Sequence, residues 1–389
     1  MYIAHVSTSI TLNQTVFNQM VYQRHCGHRV AALCVDDDWV IPIKEKGIHV
    51  IDVPLARHNA IVNLTYALAK IWRVCRQEKF DVVHTHTLLP GIAGRIAARL
   101  AGVPVIIHTF HTWPLHLARS RPFIWAFNLL ELASSYAAHA MLFQNRDDMR
   151  CWNEIPGIPV SRANLIGNGI DSKAIINQVC SGARKKIREE FGIDDNTHVI
   201  VKVARFEAQK GHLFFLKVLD HMKTHFAGKF IALLVGSGKD QGKIEYEAER
   251  LGLQKEVCFT GYRHDIPDIL AASDVSVLTS HFEGIPRALM ESMVLGLPVV
   301  ATDVPGTREL VKPGVNGFLV NYGNLEGWTE ALIRVLESPD MAHEFGRKGR
   351  TLVQNCFDEY VIADRVEEVY RHIMNNRLAS LPGWGQLEC

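Results

Sequence analysis

His281-Phe-Glu-Gly-Ile-Pro-Arg-Ala-Leu-Met-Glu-Ser-Met-Val-Leu-Gly-Leu-Pro-Val-Val-Ala-Thr-Asp303 carries a loop, a helix and a buried strand in immediate succession. Gly284 and Pro286 fit a helix start, with proline near the first helical position. Leu297 to Ala301 is a short apolar run of the kind that forms a strand covered on both faces. Around this stretch, short apolar runs alternate with helical patterns throughout the chain. The first half gives Ile3–Val6, Val30–Val35, His49–Val53, Val82–His84, Val105–Ile107 and Ala140–Phe143. The second gives Val199–Val203, Ile231–Val235, Val257–Thr260, Val275–Leu278 and Pro298–Ala301. Such alternation predicts an α/β protein with parallel sheets wrapped by helices.

Glu283 and Glu291 flank the helix start. If most of that interval is helical, they lie about 12 Å apart along the axis, roughly the span from a ribose to a sugar across a diphosphate. Carboxylates only accept hydrogen bonds and suit paired hydroxyls. The exposed N–H groups of the helix end attract phosphate. Two glutamates on one helix are ordinarily solvated, so the neighbouring segments decide the matter.

In Val201-Lys-Val-Ala-Arg-Phe-Glu-Ala-Gln-Lys-Gly-His212, a strand hands over to a loop carrying Arg205 and Lys210. Ligands of open α/β sheets bind beyond the carboxyl ends of strands, and two fixed cations there suit a diphosphate. His108-Thr-Phe-His-Thr-Trp113 follows another apolar strand. His111, deeper in that loop than His108, is the better candidate for a hydrogen-bond donor or proton carrier near neutral pH.

These three segments, in this order, resemble the family 4 glycosyltransferases of the GT-B fold, over nearly the whole chain. Gly306-Thr-Arg-Glu-Leu-Val311, Gly314-Val-Asn-Gly-Phe-Leu-Val320, the run from Gly91 to Val105 and Leu165-Ile-Gly-Asn-Gly-Ile-Asp171 add to the likeness. The resemblance implies two Rossmann-like domains facing each other across a cleft, here 1–175 on the acceptor side and 176–358 on the donor side. It also implies a terminal helix, about 359–376, packed back on the first domain. It assigns Arg205 and Lys210 to the donor diphosphate, Glu283 to the sugar hydroxyls and Glu291 to the ribose. Gly284, Ile285 and Pro286 form the loop whose backbone faces phosphate and sugar. His111 matches an active-site histidine near the sugar–phosphate linkage. Arg263 and Gly236 fall on the nucleotide side.

A retaining, metal-independent enzyme is therefore expected. It would move a hexose from a nucleoside diphosphate-sugar, with uridine the usual base, to a glycan or lipid-linked acceptor in bacterial polysaccharide or glycolipid synthesis. The first loop, Ser7-Thr-Ser-Ile-Thr-Leu-Asn-Gln-Thr15, departs from the family in lacking adjacent glycines. Two other functions stay open: a non-hydrolysing nucleotide-sugar 2-epimerase and a non-catalytic nucleotide-sugar-binding subunit. The epimerases carry Thr-Glu-Arg-Pro-Glu where this chain has Gly306-Thr-Arg-Glu-Leu310.

Composition agrees with that reading. The 389 residues bring a prior of two to three domains. A net charge of +1 gives no global pull toward nucleic acid. The 8 cysteines are scattered, without Cys-x-x-Cys, and the start reads as a strand and not a signal peptide. A reduced, cytoplasmic compartment is expected. Arg119 and Arg121 precede Phe123, Trp125 and Phe127 on an expected helix, Pro122 to Ala137. A core helix is the plainer reading, and peripheral contact with an anionic membrane the alternative. Asp36-Asp-Asp38 has the spacing of a metal-binding Asp-x-Asp motif but reads as a polar turn. The tail from Leu378 reads as loose.

Overall fold

The computed structural model describes residues 1–55, 60–117 and 120–375. The chain divides into two compact units, one of residues 1–168 with the segment from Glu359, the other of residues 169–358. The division falls at Asn168/Gly169 and not at 175/176, because Asp171 caps a helix, Ser172–Gln178, accepting from Ala174 N at 2.8 Å. The stretch that follows Asp171 is therefore helical and belongs to the second unit.

In the first unit, β1 (Tyr2–Val6), β2 (Arg29–Cys34), β3 (His49–Asp52), β4 (Val82–His86), β5 (Val105–Phe110), β6 (Ala140–Phe143) and β7 (Ala163–Leu165) form one parallel sheet. Their order is β3-β2-β1-β4-β5-β6-β7, so the winding reverses between β1 and β4. Across that reversal His5 pairs in register with His84. Alternate residues feed two cores. Ala4, Val6, Val83 and Ile106 face Ala93, Ala97 and Ile71. Ile3, Val82, Val105 and Ile107 face Val366, Val369 and Tyr370 of the helix Glu359–Asn375.

The helix Leu88–Ala101 lies so close to the sheet that a Cβ on Gly91 would stand 2.3 Å from His108 Cε1. Arg95 of this helix is wholly buried and forks onto Glu131 at 2.7 and 2.8 Å. Glu131 also accepts from Trp152 Nε1. The expected first loop is largely helical instead: Thr8 caps Ser9–Thr11, a π turn covers Leu12–Val16 and an α-helix follows over Phe17–His25. Hydroxyl capping replaces the glycines there.

The second unit carries β8 (Thr197–Val203), β9 (Lys229–Val235), β10 (Val257–Gly261), β11 (Val275–Leu278), β12 (Val299–Thr302) and β13 (Gly317–Val320). This parallel sheet is ordered β10-β9-β8-β11-β12-β13, reversing between β8 and β11. β7 and β13 were not expected: Ala163-Asn-Leu165 has only 3 residues, and β13 opens on Gly317. Asp36 pairs with Lys44 at 2.6 Å and Asp37 accepts from Trp39 N and Ser9 Oγ, so that triplet is a polar turn. The C-terminal tail and Arg119 lie outside the described residues.

Candidate functional site

The reversal between β8 and β11 gathers most of the expected donor residues. Past β8, the chain runs through Arg205 to Lys210, and past β11 through Thr279 to Glu283. The two loops are stitched together: His281 N donates to Gln209 O at 2.9 Å, and Gln209 Nε2 to Phe282 O at 3.0 Å. Lys210 Nζ lies 2.6 Å from Glu283 Oε1, and the glutamate is only 8% exposed. Arg205 is not drawn into this pair. Its side chain is largely exposed and bonds Glu207 at 2.9 Å.

Beneath the pair stands Lys202, wholly buried in β8. Its ammonium donates to Lys210 O at 2.9 Å and Thr279 Oγ1 at 2.7 Å. Burial lowers its pKa to about 7; Lys210 adds to the shift and Glu283 opposes it. Sequence reasoning passed over Lys202, although a lysine amid Val199-Ile-Val-Lys-Val203 is itself a signal, since a buried strand does not hold a charge without use for it.

The helix after Glu283 begins only at Arg287 and ends at Val294, with Pro286 as its cap residue. Glu283 thus sits in the loop, and the 12 Å axial span does not apply. Glu291 is on the helix, its pKa raised by burial against the opposing pull of Arg287. Among the described residues its carboxylate has no hydrogen-bond partner. Ile285 is buried in the core, so that position offers a ligand its backbone alone. The loop needs Gly306 opposite it: at φ +83°, a Cβ there would fall 1.3 Å from Gly284 O.

Gly236 follows β9 directly at φ +141°, where a Cβ would meet Ala204 O at 2.2 Å. Arg263 is placed differently from the rest. Its guanidinium is taken up by Asp265 and Glu190, Nε reaching Asp265 at 2.8 Å and Nη1 reaching Glu190 at 2.5 Å. Glu190 ties it to the helix Ala183–Glu190, and no contact among the described residues joins it to Lys210 or Glu283. A free guanidinium for a base is therefore not what the structure presents there.

In the first unit, β5 runs on to Phe110, so His108 is a strand residue and His111 follows directly after the strand. His108 is buried, its Nδ1 2.9 Å from Thr85 Oγ1. His111 Nε2 lies 3.2 Å from His86 Nδ1, and Gln144 Nε2 lies 2.9 Å from His111 Nδ1. Burial lowers the His111 pKa to about 4, so it is neutral near pH 7 and not the ready proton carrier expected of a loop histidine. Next to His86, Thr87 holds φ +62°, ψ 171°. This region is nearly reserved for glycine, and strain of that kind collects at functional sites.

Comparison with known proteins agrees with the geometry. Residues 11–169 match the glycosyl transferase 4-like domain, and residues 183–352 match glycosyl transferases group 1. The putative glycosyltransferase EpsF of Bacillus subtilis is 32% identical over 286 residues, covering 72% of this chain and 71% of that protein. The Escherichia coli UDP-Gal:α-D-GlcNAc-diphosphoundecaprenol α-1,3-galactosyltransferase is 29% identical over 326 residues, 83% of each chain. Among solved structures, a glycosyltransferase from Rickettsia africae superposes with a TM-score of 0.83 at 19% identity, covering 96% of this chain and 99% of the other. Anabaena HepE, solved with UDP and glucose, gives 0.80 at 21%, covering 95% and 99%. Two Rossmann-like domains with these neighbours define an enzyme of the GT-B class. The chain belongs to the family 4 glycosyltransferases.

Proposed function

We propose that this glycosyltransferase retains anomeric configuration. In our reading it takes a UDP-hexose and delivers the hexose to a glycan or lipid-linked acceptor in bacterial polysaccharide or glycolipid synthesis. The contact between Lys210 and Glu283, 2.6 Å at the reversal of the second sheet, carries this reading. A cation for phosphate and an acid for hydroxyls stand side by side where α/β sheets bind ligands. UDP is the nucleotide named with the galactosyltransferase relative and with HepE, and the relative's acceptor is a polyprenyl diphosphate-linked sugar.

As the sugar–phosphate bond breaks, negative charge grows on the leaving oxygen. Lys210, Arg205 and the first amides of the helix Arg287–Val294 stabilise it, which is why we assign no metal to the step. The anomeric carbon becomes oxocarbenium-like. The acceptor attacks from the same face, and the departing phosphate oxygen takes its proton. Glu283 holds sugar hydroxyls, Glu291 the ribose, and His111 a group near the reacting centre.

No helix among the described residues is long and apolar enough to cross a membrane. The helix Arg121–Ser135 does expose Phe123, Trp125, Leu129 and Leu130, and we place that face against the cytoplasmic side of the membrane that holds the acceptor.

Thermal unfolding with UDP, GDP, ADP, UDP-glucose and UDP-galactose, with and without EDTA, tests the donor. A ligand at about 100 times its dissociation constant adds about 2.7 kcal/mol. Stabilisation by UDP and its sugars, indifferent to EDTA, is expected. Indifference to every nucleotide would remove the donor site, and dependence on a divalent ion would remove the metal-free mechanism.

A further inference from the structure

We infer that His86, His5, Gln23 and Gln144 are positioning residues that hold His111 in one tautomer, its proton on Nε2 and its Nδ1 lone pair turned to Gln144. The inference rests on the reading of His111 as a substrate-touching residue.

These side chains form an unbroken chain, buried except at His111, by the reversal between β1 and β4, where open α/β sheets place their ligands. Gln144 Nε2 can only donate, so His111 Nδ1, at 2.9 Å, accepts. The one proton of the neutral ring is then on Nε2 and points at His86 Nδ1, 3.2 Å away. His86 must carry its own proton on Nε2, which lies 3.0 Å from His5 Nδ1. His5 in turn directs Nε2 at Gln23 Oε1, 2.7 Å away, an atom that can only accept. Both ends of the chain therefore demand the same assignment.

The far side agrees. Gln23 Nε2 donates to Tyr370 OH at 3.3 Å, Tyr370 OH lies 2.6 Å from His84 Nδ1, and His84 Nε2 lies 2.7 Å from Thr109 Oγ1. Burial lowers the pKa of His5 and His111 to about 4 and that of His84 and His86 well below the usual value. Each ring thus keeps one proton and one lone pair near pH 7, as such a chain requires.

A metal is the competing use of these residues, since ligand atoms of His5, His84 and His86 lie within 4.8 Å of one another. Both nitrogens of His84 already have partners, however, and His5 is bonded to His86. An ion would have to break this chain to bind.

The consequence is a preference. With Nε2–H committed inward, His111 meets a ligand as an acceptor. A hydroxyl that displaces Gln144 can donate into Nδ1, whereas a phosphate oxygen finds no donor there.

The test is nitrogen NMR on full-length protein labelled with 15N-histidine, His111 being assigned by the signal lost in His111→Ala. A single Nε2–H tautomer is expected at neutral pH. An Nδ1–H or averaged ring would overturn the inference. In His86→Leu the Nε2–H loses its acceptor, and the tautomer ratio should fall about fivefold, the worth of one hydrogen bond. His86→Asn, whose side-chain oxygen can take the place of Nδ1, should restore it. Equal spectra for the two variants would refute the chain, as would zinc bound stoichiometrically and lost in His84→Ala. If the tautomer is as assigned but His111→Ala leaves UDP-galactose turnover unchanged, the chain stands and the functional reading of His111 falls instead.

Discussion

Replacing Lys202 by methionine removes the charge buried under the Lys210–Glu283 pair and keeps most of its volume. In the folded protein the ammonium faces Lys210, Glu283, Thr279 and the neutral ring of His212, and its pKa is lowered from 10.5 to about 7. The unfolded chain therefore binds the extra proton between these two values, and stability conferred by this site rises with pH through that window. Below pH 7 both states are protonated and the dependence vanishes. Between pH 7 and 9 the gain works out at about 2 kcal/mol, from 1.36 kcal/mol per unit reduced by partial protonation at the lower end. The assay is urea denaturation of wild type and Lys202→Met at pH 6, 7, 8 and 9 in one buffer series. Their difference in stability should be flat from pH 6 to just below 7 and then widen in favour of wild type by about 2 kcal/mol at pH 9. The lost bonds to Lys210 O and Thr279 Oγ1 offset the curves without tilting them. Parallel curves across the whole range would refute the reasoning, because they would mean that Lys202 titrates as it does in water.

Three other outcomes are expected. The Lys210→Ala, Arg205→Ala double variant should transfer sugar at least about a hundredfold more slowly, the scale of losing fixed electrostatic stabilisation of a leaving group; an unchanged rate would sink the assignment of both cations. Glu131→Ala leaves the Arg95 guanidinium buried without its counter-ion and should cost about 3–5 kcal/mol in denaturation, whereas a loss below 1 kcal/mol, about what a surface pair is worth, would contradict the described burial. Trp125→Ser with Phe123→Ser should weaken sedimentation with anionic phospholipid vesicles and leave binding of UDP in solution unaltered; vesicle binding equal to wild type would detach this helix from the membrane.

The parallel sheets were legible because β2, β6, β9 and β12 are nearly continuous apolar runs, as strands covered on both faces are. Glu283 and Lys210 were legible as residues at strand ends but not as a pair, since 73 positions separate them and only the reversal of the sheet joins them. The engagement of Arg263 was hidden for the same reason, 73 positions again separating the partners. Its partner Glu190 is a distant residue on another element, and no local pattern announces that a surface arginine is already engaged. The histidine chain was within reach. His5, His84 and His86 lie in buried strands, Tyr2-Ile-Ala-His-Val6 and Val82-Val-His-Thr-His86, and a polar residue in such a strand is costly unless it is bonded. Which of them touch could not be read, because His5 and His86 meet through strand order and not through spacing.

The helix Glu359–Asn375 sets a timetable for the chain's birth. It covers Ile3, Val82, Val105 and Ile107 and supplies the Tyr370 hydroxyl beside His84. A ribosome that has released the first 168 residues has not yet made that cover, and must still synthesise the entire second unit before doing so. Throughout that interval one apolar face of the first sheet is wet, an invitation to chaperones and to aggregation. A helix made only after the whole second unit closes the first one.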